Sequence, residues 1–170
     1  MIVKDQALLL KLETYPYEKL IRMFQMISKE FSIHSASDTP NALFHFTKLH
    51  TSHLHITLTS RKKFAKFHDT FVLPDLKIPT LEFEEGIYMA SRTKNKIKKK
   101  SLVVRIRNQS AMREFVDRLY WLQGNYGDCL KNPEPHREFH LTIANNQAGD
   151  PFCSISDVGK LKRDFMKKIN

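Results

Sequence analysis

The stretch HLHITL, residues 53–58, alternates polar and aliphatic side chains, with Leu54, Ile56 and Leu58 at every second position. Successive side chains on a strand point to opposite faces. The spacing therefore predicts a half-buried β-strand with His53, His55, Thr57 and Thr59 on one face and the aliphatic residues toward a core. A solvated strand face ordinarily carries mixed polar residues, so two imidazoles and two hydroxyls in register set this stretch apart.

Upstream, ALLLKLE (7–13) has the composition of a strand, and after Pro16 the residues Leu20, Phe24, Ile27 and Phe31 recur at helical spacing, which predicts a helix across 17–31. The polar SIHSASDTPN (32–41) reads as a loop leading to HLHITL. The second half repeats this order. SLVVRIR (101–107) reads as a strand, Ser110 as the N-cap of a helix with the stripe Met112, Phe115, Val116, Leu119 and Leu122, GDCLKNPEPHR (127–137) as a loop, and EFHLTIA (138–144) as a strand. Between the halves, TFVLPDLKIP (70–79) holds two prolines and reads as a loop or edge strand. EEGIYMASR (84–92) reads as a strand that turns through a lysine-rich segment and returns through SLVVRIR as a hairpin. After 145 the composition is that of a loop, with a short basic helix in the tail.

Each half ends in the same chemistry. LHITL and FHLTI both follow the order apolar, His, apolar, Thr, apolar, and His55 to His140 spans 85 residues, as does Thr57 to Thr142. A bare His-x-Thr also occurs at His45/Thr47 and His68/Thr70, so the spacing alone decides little. The flanks decide: Lys48 follows one of those pairs and Asp69 interrupts the other.

The 170 residues are 41% hydrophobic, enough to bury a core without a disulfide or a structural metal, and they predict a single domain. Cys129 and Cys153 show no paired spacing, which predicts a reducing, cytoplasmic setting. No apolar run has the length of a membrane span. Lys and Arg number 28 against 18 Asp and Glu, a net charge of +10, which points to a polyanionic partner such as RNA or a nucleotide. The basic residues cluster in KNKIKKK (94–100) and in the tail from 158 to 170. The first cluster makes Lys96, Lys98, Lys99 and Lys100 candidate substrate-binding residues; the alternative is a solvated turn.

With two such His-x-Thr motifs in corresponding halves, the chain resembles the 2H phosphoesterase superfamily, which is marked by two His-x-Thr/Ser motifs with hydrophobic flanks, one in each of two pseudo-symmetric lobes. The resemblance covers about residues 5–145. It implies an α+β fold of two strand-helix-strand lobes, about 1–60 and 85–145, with antiparallel sheets flanking a central phosphate-binding cleft. Its members include cyclic phosphodiesterases, RNA 3′-end trimming enzymes, enzymes that cleave 2′,5′-oligoadenylates, and phage proteins that destroy cyclic oligonucleotide signals. Carried over residue by residue, it makes His55, Thr57, His140 and Thr142 the catalytic set of a monomeric, metal-independent phosphodiesterase. No cofactor is expected. The substrate would be a nucleotide, cyclic oligonucleotide or RNA in the cytoplasm, or in the host cytoplasm if the chain is phage- or virus-encoded.

The chemistry fits the residue types. In-line cleavage of a phosphodiester needs a base for the entering oxygen and an acid for the leaving one, and two imidazoles can hold opposite protonation states near neutral pH. A threonine two residues on faces the same way and can donate to a non-bridging phosphate oxygen. Three rivals stand beside this reading: a non-catalytic RNA- or nucleotide-binding module of the same fold, a metal site built from His50, His53 and His55, and a purely structural role for both motifs. Tyr88, Trp121 and Tyr126 are candidates for stacking on bases or for the core.

Overall fold

The computed structural model describes residues 2–4, 7–12, 33–34, 46–49, 53–67, 69–94, 97–124, 129–147 and 162–168. Among these, nine strands and two helices make an α+β fold. The strands are Ile2–Lys4 (β1), Ala7–Lys11 (β2), Ile33–His34 (β3), Phe46–Lys48 (β4), His55–Thr59 (β5), Phe83–Lys94 (β6), Ile97–Ile106 (β7), His140–Asn145 (β8) and Lys162–Lys168 (β9); the helices are Arg61–Phe64 (α1) and Gln109–Trp121 (α2). One mostly antiparallel sheet joins the strands in the order β1-β2-β5-β8-β7-β6-β9, with β4 on β8 and β3 parallel to β4. The two motif strands, β5 and β8, lie side by side. The predicted helix over 17–31 falls outside the described residues.

Residue pattern explains the layout. On β7, Leu102, Val104 and Ile106 alternate with Ser101, Val103 and Arg105, and the strand has partners on both edges, β6 and β8. The first set packs with Leu54, Leu141 and Ile143, or with Phe139, on one face of the sheet. There α2 lays down Met112, Phe115, Val116 and Leu119 against Leu8, Leu10, Ile56 and Leu58. A helical stripe at 3.6-residue spacing thus covers the aliphatic side of the strands. The other face carries a smaller cluster of Tyr88, Ala90 and Val103.

Several expectations change, beginning with 32–41, read as a loop, which holds the short strand Ile33–His34. The tail is not a helix where it is described: Lys162–Lys168 is a strand, whose main-chain groups pair with the exposed edge of β6. Asn108, not Ser110, is the N-cap of α2, and its side chain donates to the Thr80 carbonyl and accepts from the Glu82 N–H, tying the helix start to the preceding segment. Leu122 lies past the helix end and is exposed, outside the stripe. The hairpin is as expected, but Lys94 pairs with Ile97, so Lys98, Lys99 and Lys100 belong to β7 and not to a turn, because a two-residue connection suffices between antiparallel strands. Lys96 lies outside the described residues. The segment 71–82 forms no strand, and among the described residues no helix is long and apolar enough to cross a membrane.

Candidate active site

The site starts from one pairing. Ile56 on β5 faces Leu141 on β8 in antiparallel register. Counting one residue each way sets His55 beside Thr142 and Thr57 beside His140, so all four share one face. Each of the four is half-buried, while Ile56 and Leu141 are fully buried beneath them. Further along, the same edge of β8 turns to another strand: Ala144 and Asn145 pair with Lys48 and Thr47 of β4, and the Leu49 N–H donates to the Ile143 carbonyl. Two strands share one edge of β8.

Two other polar residues of the first motif fall elsewhere. Thr59 is completely buried on the helix side, where it accepts a hydrogen bond from the Tyr120 hydroxyl at 3.0 Å. A register shift between β2 and β5, with Leu9 facing Thr57 but Leu8 facing Thr59, breaks the alternation that would have kept it with the histidines. His53 precedes β5 and is exposed.

The two imidazoles are held alike. Nδ1 of His55 lies 2.7 Å from the carbonyl oxygen of His53, and Nδ1 of His140 lies 3.2 Å from that of Glu138. A carbonyl only accepts, so Nδ1 of each ring carries the proton and proton exchange goes through Nε2. The setting of His140 is strongly perturbed. Burial, and then the charges of Arg137, His55 and Arg105, pull His140 down from its ordinary 6.5 to about 4, against the opposing pull of the Glu138 carbonyl. His140 is therefore neutral at pH 7.

After burial, Arg137 is the larger of two arginine contributions to that setting, and Arg105 the smaller. Arg105 on β7 is the cross-strand partner of His140 and shares its face. Arg137, three residues before His140, is nearly buried; its Nε donates to the Thr57 carbonyl at 2.9 Å and its Nη1 reaches both carboxylate oxygens of Glu134 at 3.1 Å. Glu134 also accepts from the Ser60 N–H at 2.7 Å and from the Ser60 hydroxyl at 2.9 Å. The loop before β8 thereby grips the end of β5. Neither arginine nor Glu134 stands out in the sequence reading; the one visible signal is a charge at an alternate position of an otherwise apolar strand, SLVVRIR.

Other candidates lie apart or beyond description. Lys99 and Lys100 are half-buried on β7, opposite Arg92 and Ser91. His45, His50, His68 and Tyr126 fall outside the described residues, so the three-histidine metal reading rests partly on a residue that is not described. Among the described residues, no three His, Cys, Asp or Glu side chains group as a metal site. Tyr88 is buried. Trp121 is exposed at the end of α2, beside an open depression of about 450 Å³ lined also by Arg118, Leu130 and Lys131. It lies on the helix side of the sheet, away from the histidines. No family model matches the chain, and no curated protein or solved structure matches it.

Proposed function

We propose that the protein is a 2H-type phosphodiesterase acting on a nucleotide, cyclic oligonucleotide or RNA phosphodiester. The observation that carries this reading is the antiparallel placement of His55, Thr57, His140 and Thr142 on one face, with both histidine Nδ1 atoms on the carbonyl two residues upstream. The two motifs are then related by a local two-fold about Ile56 and Leu141. The two pseudo-symmetric lobes would meet along this pair of strands.

In this mechanism neutral His140 takes the proton of the entering hydroxyl or water through Nε2, and His55 gives a proton to the leaving oxygen through its own Nε2. The hydroxyls of Thr57 and Thr142 donate to the non-bridging oxygens as charge builds on them. A free imidazole near 4 is a weak base. Burial depresses it first and the guanidinium charges add to that; bound phosphate brings negative charge against those guanidinium groups, which raises its proton affinity toward the useful range. The net charge of +10 draws such substrates in.

The test is a substrate panel: 2′,3′-cyclic AMP, a 2′,5′-linked adenylate, a cyclic dinucleotide and a short RNA, with products separated by chromatography. Turnover of at least one supports the reading. Tight binding without turnover of any would favour the binding-module alternative, and neither binding nor turnover would reject both.

A further inference from the structure

We propose that Arg105 is an anion-binding residue of this face, its guanidinium held ready to donate to the non-bridging oxygens of a phosphate group seated beside His140. The inference rests on the phosphodiesterase reading for the substrate, and on its own observations for the site. Arg105 pairs across the strands with His140, and cross-strand partners project from the same face within a few ångströms of each other. Its side chain keeps about a quarter of its surface exposed. Its Nε lies buried with no hydrogen-bond acceptor among the described residues.

A guanidinium engaged only in structural ion pairing would place its donors on carboxylates at 2.7–2.9 Å. Here the contacts are long: Nη1 to Glu84 at 3.7 Å and Nη2 to Glu138 at 3.3 Å. Glu84 is already engaged by the Tyr88 hydroxyl, and the Arg105 guanidinium lies over the Tyr88 ring at 5.3 Å from its centroid. The Tyr88 ring and hydroxyl and the two carboxylates fix its plane through long or weak contacts, and Nε is left without an acceptor among the described residues. Long ion contacts are weakly held, and a phosphate oxygen arriving at the exposed part of the side chain can replace them with shorter charge-assisted bonds to Nη1 and Nη2. Arginine suits the task because its fork matches phosphate geometry.

The experiment titrates inorganic phosphate into the full chain and follows the ring resonances of His55 and His140. Wild type should bind. Arg105→Gln should weaken binding by roughly ten- to a hundredfold, with Arg105→Lys recovering part of the loss, while the exposed control Lys62→Gln stays within about twofold. Glu138→Gln, which removes a competing carboxylate, should bind phosphate severalfold more tightly than wild type. Thermal melts establish that each variant is folded. Wild-type affinity in folded Arg105→Gln, or no phosphate binding by wild type, overturns the proposal. Phosphate binding through Arg105 in a protein that hydrolyses nothing in the substrate panel would sink the hydrolase reading alone.

Discussion

Arg137 donates its Nε–H to the carbonyl oxygen of Thr57, a residue 80 positions earlier, at 2.9 Å. The same guanidinium forks onto Glu134, which holds Ser60. This bracket bonds the loop before one histidine to the strand of the other. Removing one member of a buried ion pair leaves the other charge uncompensated and costs about 3–5 kcal/mol. Arg137→Ala should lower the unfolding free energy from urea melts by that amount, and Arg137→Met paired with Glu134→Gln should cost much less. A midpoint unchanged in Arg137→Ala would show that the bracket holds nothing.

The depressed His140 predicts a pH dependence. Its folded value, about 4, lies below the ordinary 6.5. Between those values the unfolded chain binds the proton and the folded chain does not, so stability falls as pH drops from 6.5 toward 4 and levels off below. His140→Gln should flatten that slope, measured as unfolding midpoints at pH 7 and pH 5. Saturating phosphate should move the NMR titration midpoint of the His140 ring upward. A midpoint at 6.5 without ligand would contradict the electrostatic account.

The lysine cluster should assist capture, not chemistry. Replacing Lys96, Lys98, Lys99 and Lys100 with Gln should raise KM for an oligonucleotide and flatten its salt dependence with kcat little changed, since ammonium groups act through screened fields. An unaltered salt slope would return the run to a solvated role.

Turnover should survive a chelator, because the four motif side chains supply both proton transfers and the oxyanion contacts. Loss of rate in excess EDTA, restored by zinc or manganese, would replace the two-histidine mechanism with a metal-assisted one.

Alternation at 53–58 and 138–144 was enough to read two strands, and the 85-residue repeat matched their motifs, but that the two strands lie side by side in one sheet is seen only in the structure. Alternation could not reveal that Thr59 crosses to the helix side, since the register shift that turns it depends on β2. Nor could periodicity assign residues 162–168 to a strand: a basic tail with two apolar residues fits either state until the open edge of β6 supplies a partner. Arg105 and Arg137 were hidden for a similar reason. Their meaning lies in cross-strand register and in a loop contact 80 residues long in sequence, neither of which a local pattern encodes.

The most direct measurement is kcat for His55→Ala, His140→Ala and the double variant on a phosphodiester that the wild type hydrolyses. If the two imidazoles work as one acid–base pair, each single variant should lose roughly a hundredfold to ten-thousandfold, and the double variant should lose far less than the product of the two. Thr57→Val and Thr142→Val should fall between these and wild type, each lacking one oxyanion hydrogen bond, and His53→Ala should keep most of the activity. Wild-type kcat in either His55→Ala or His140→Ala would contradict the account.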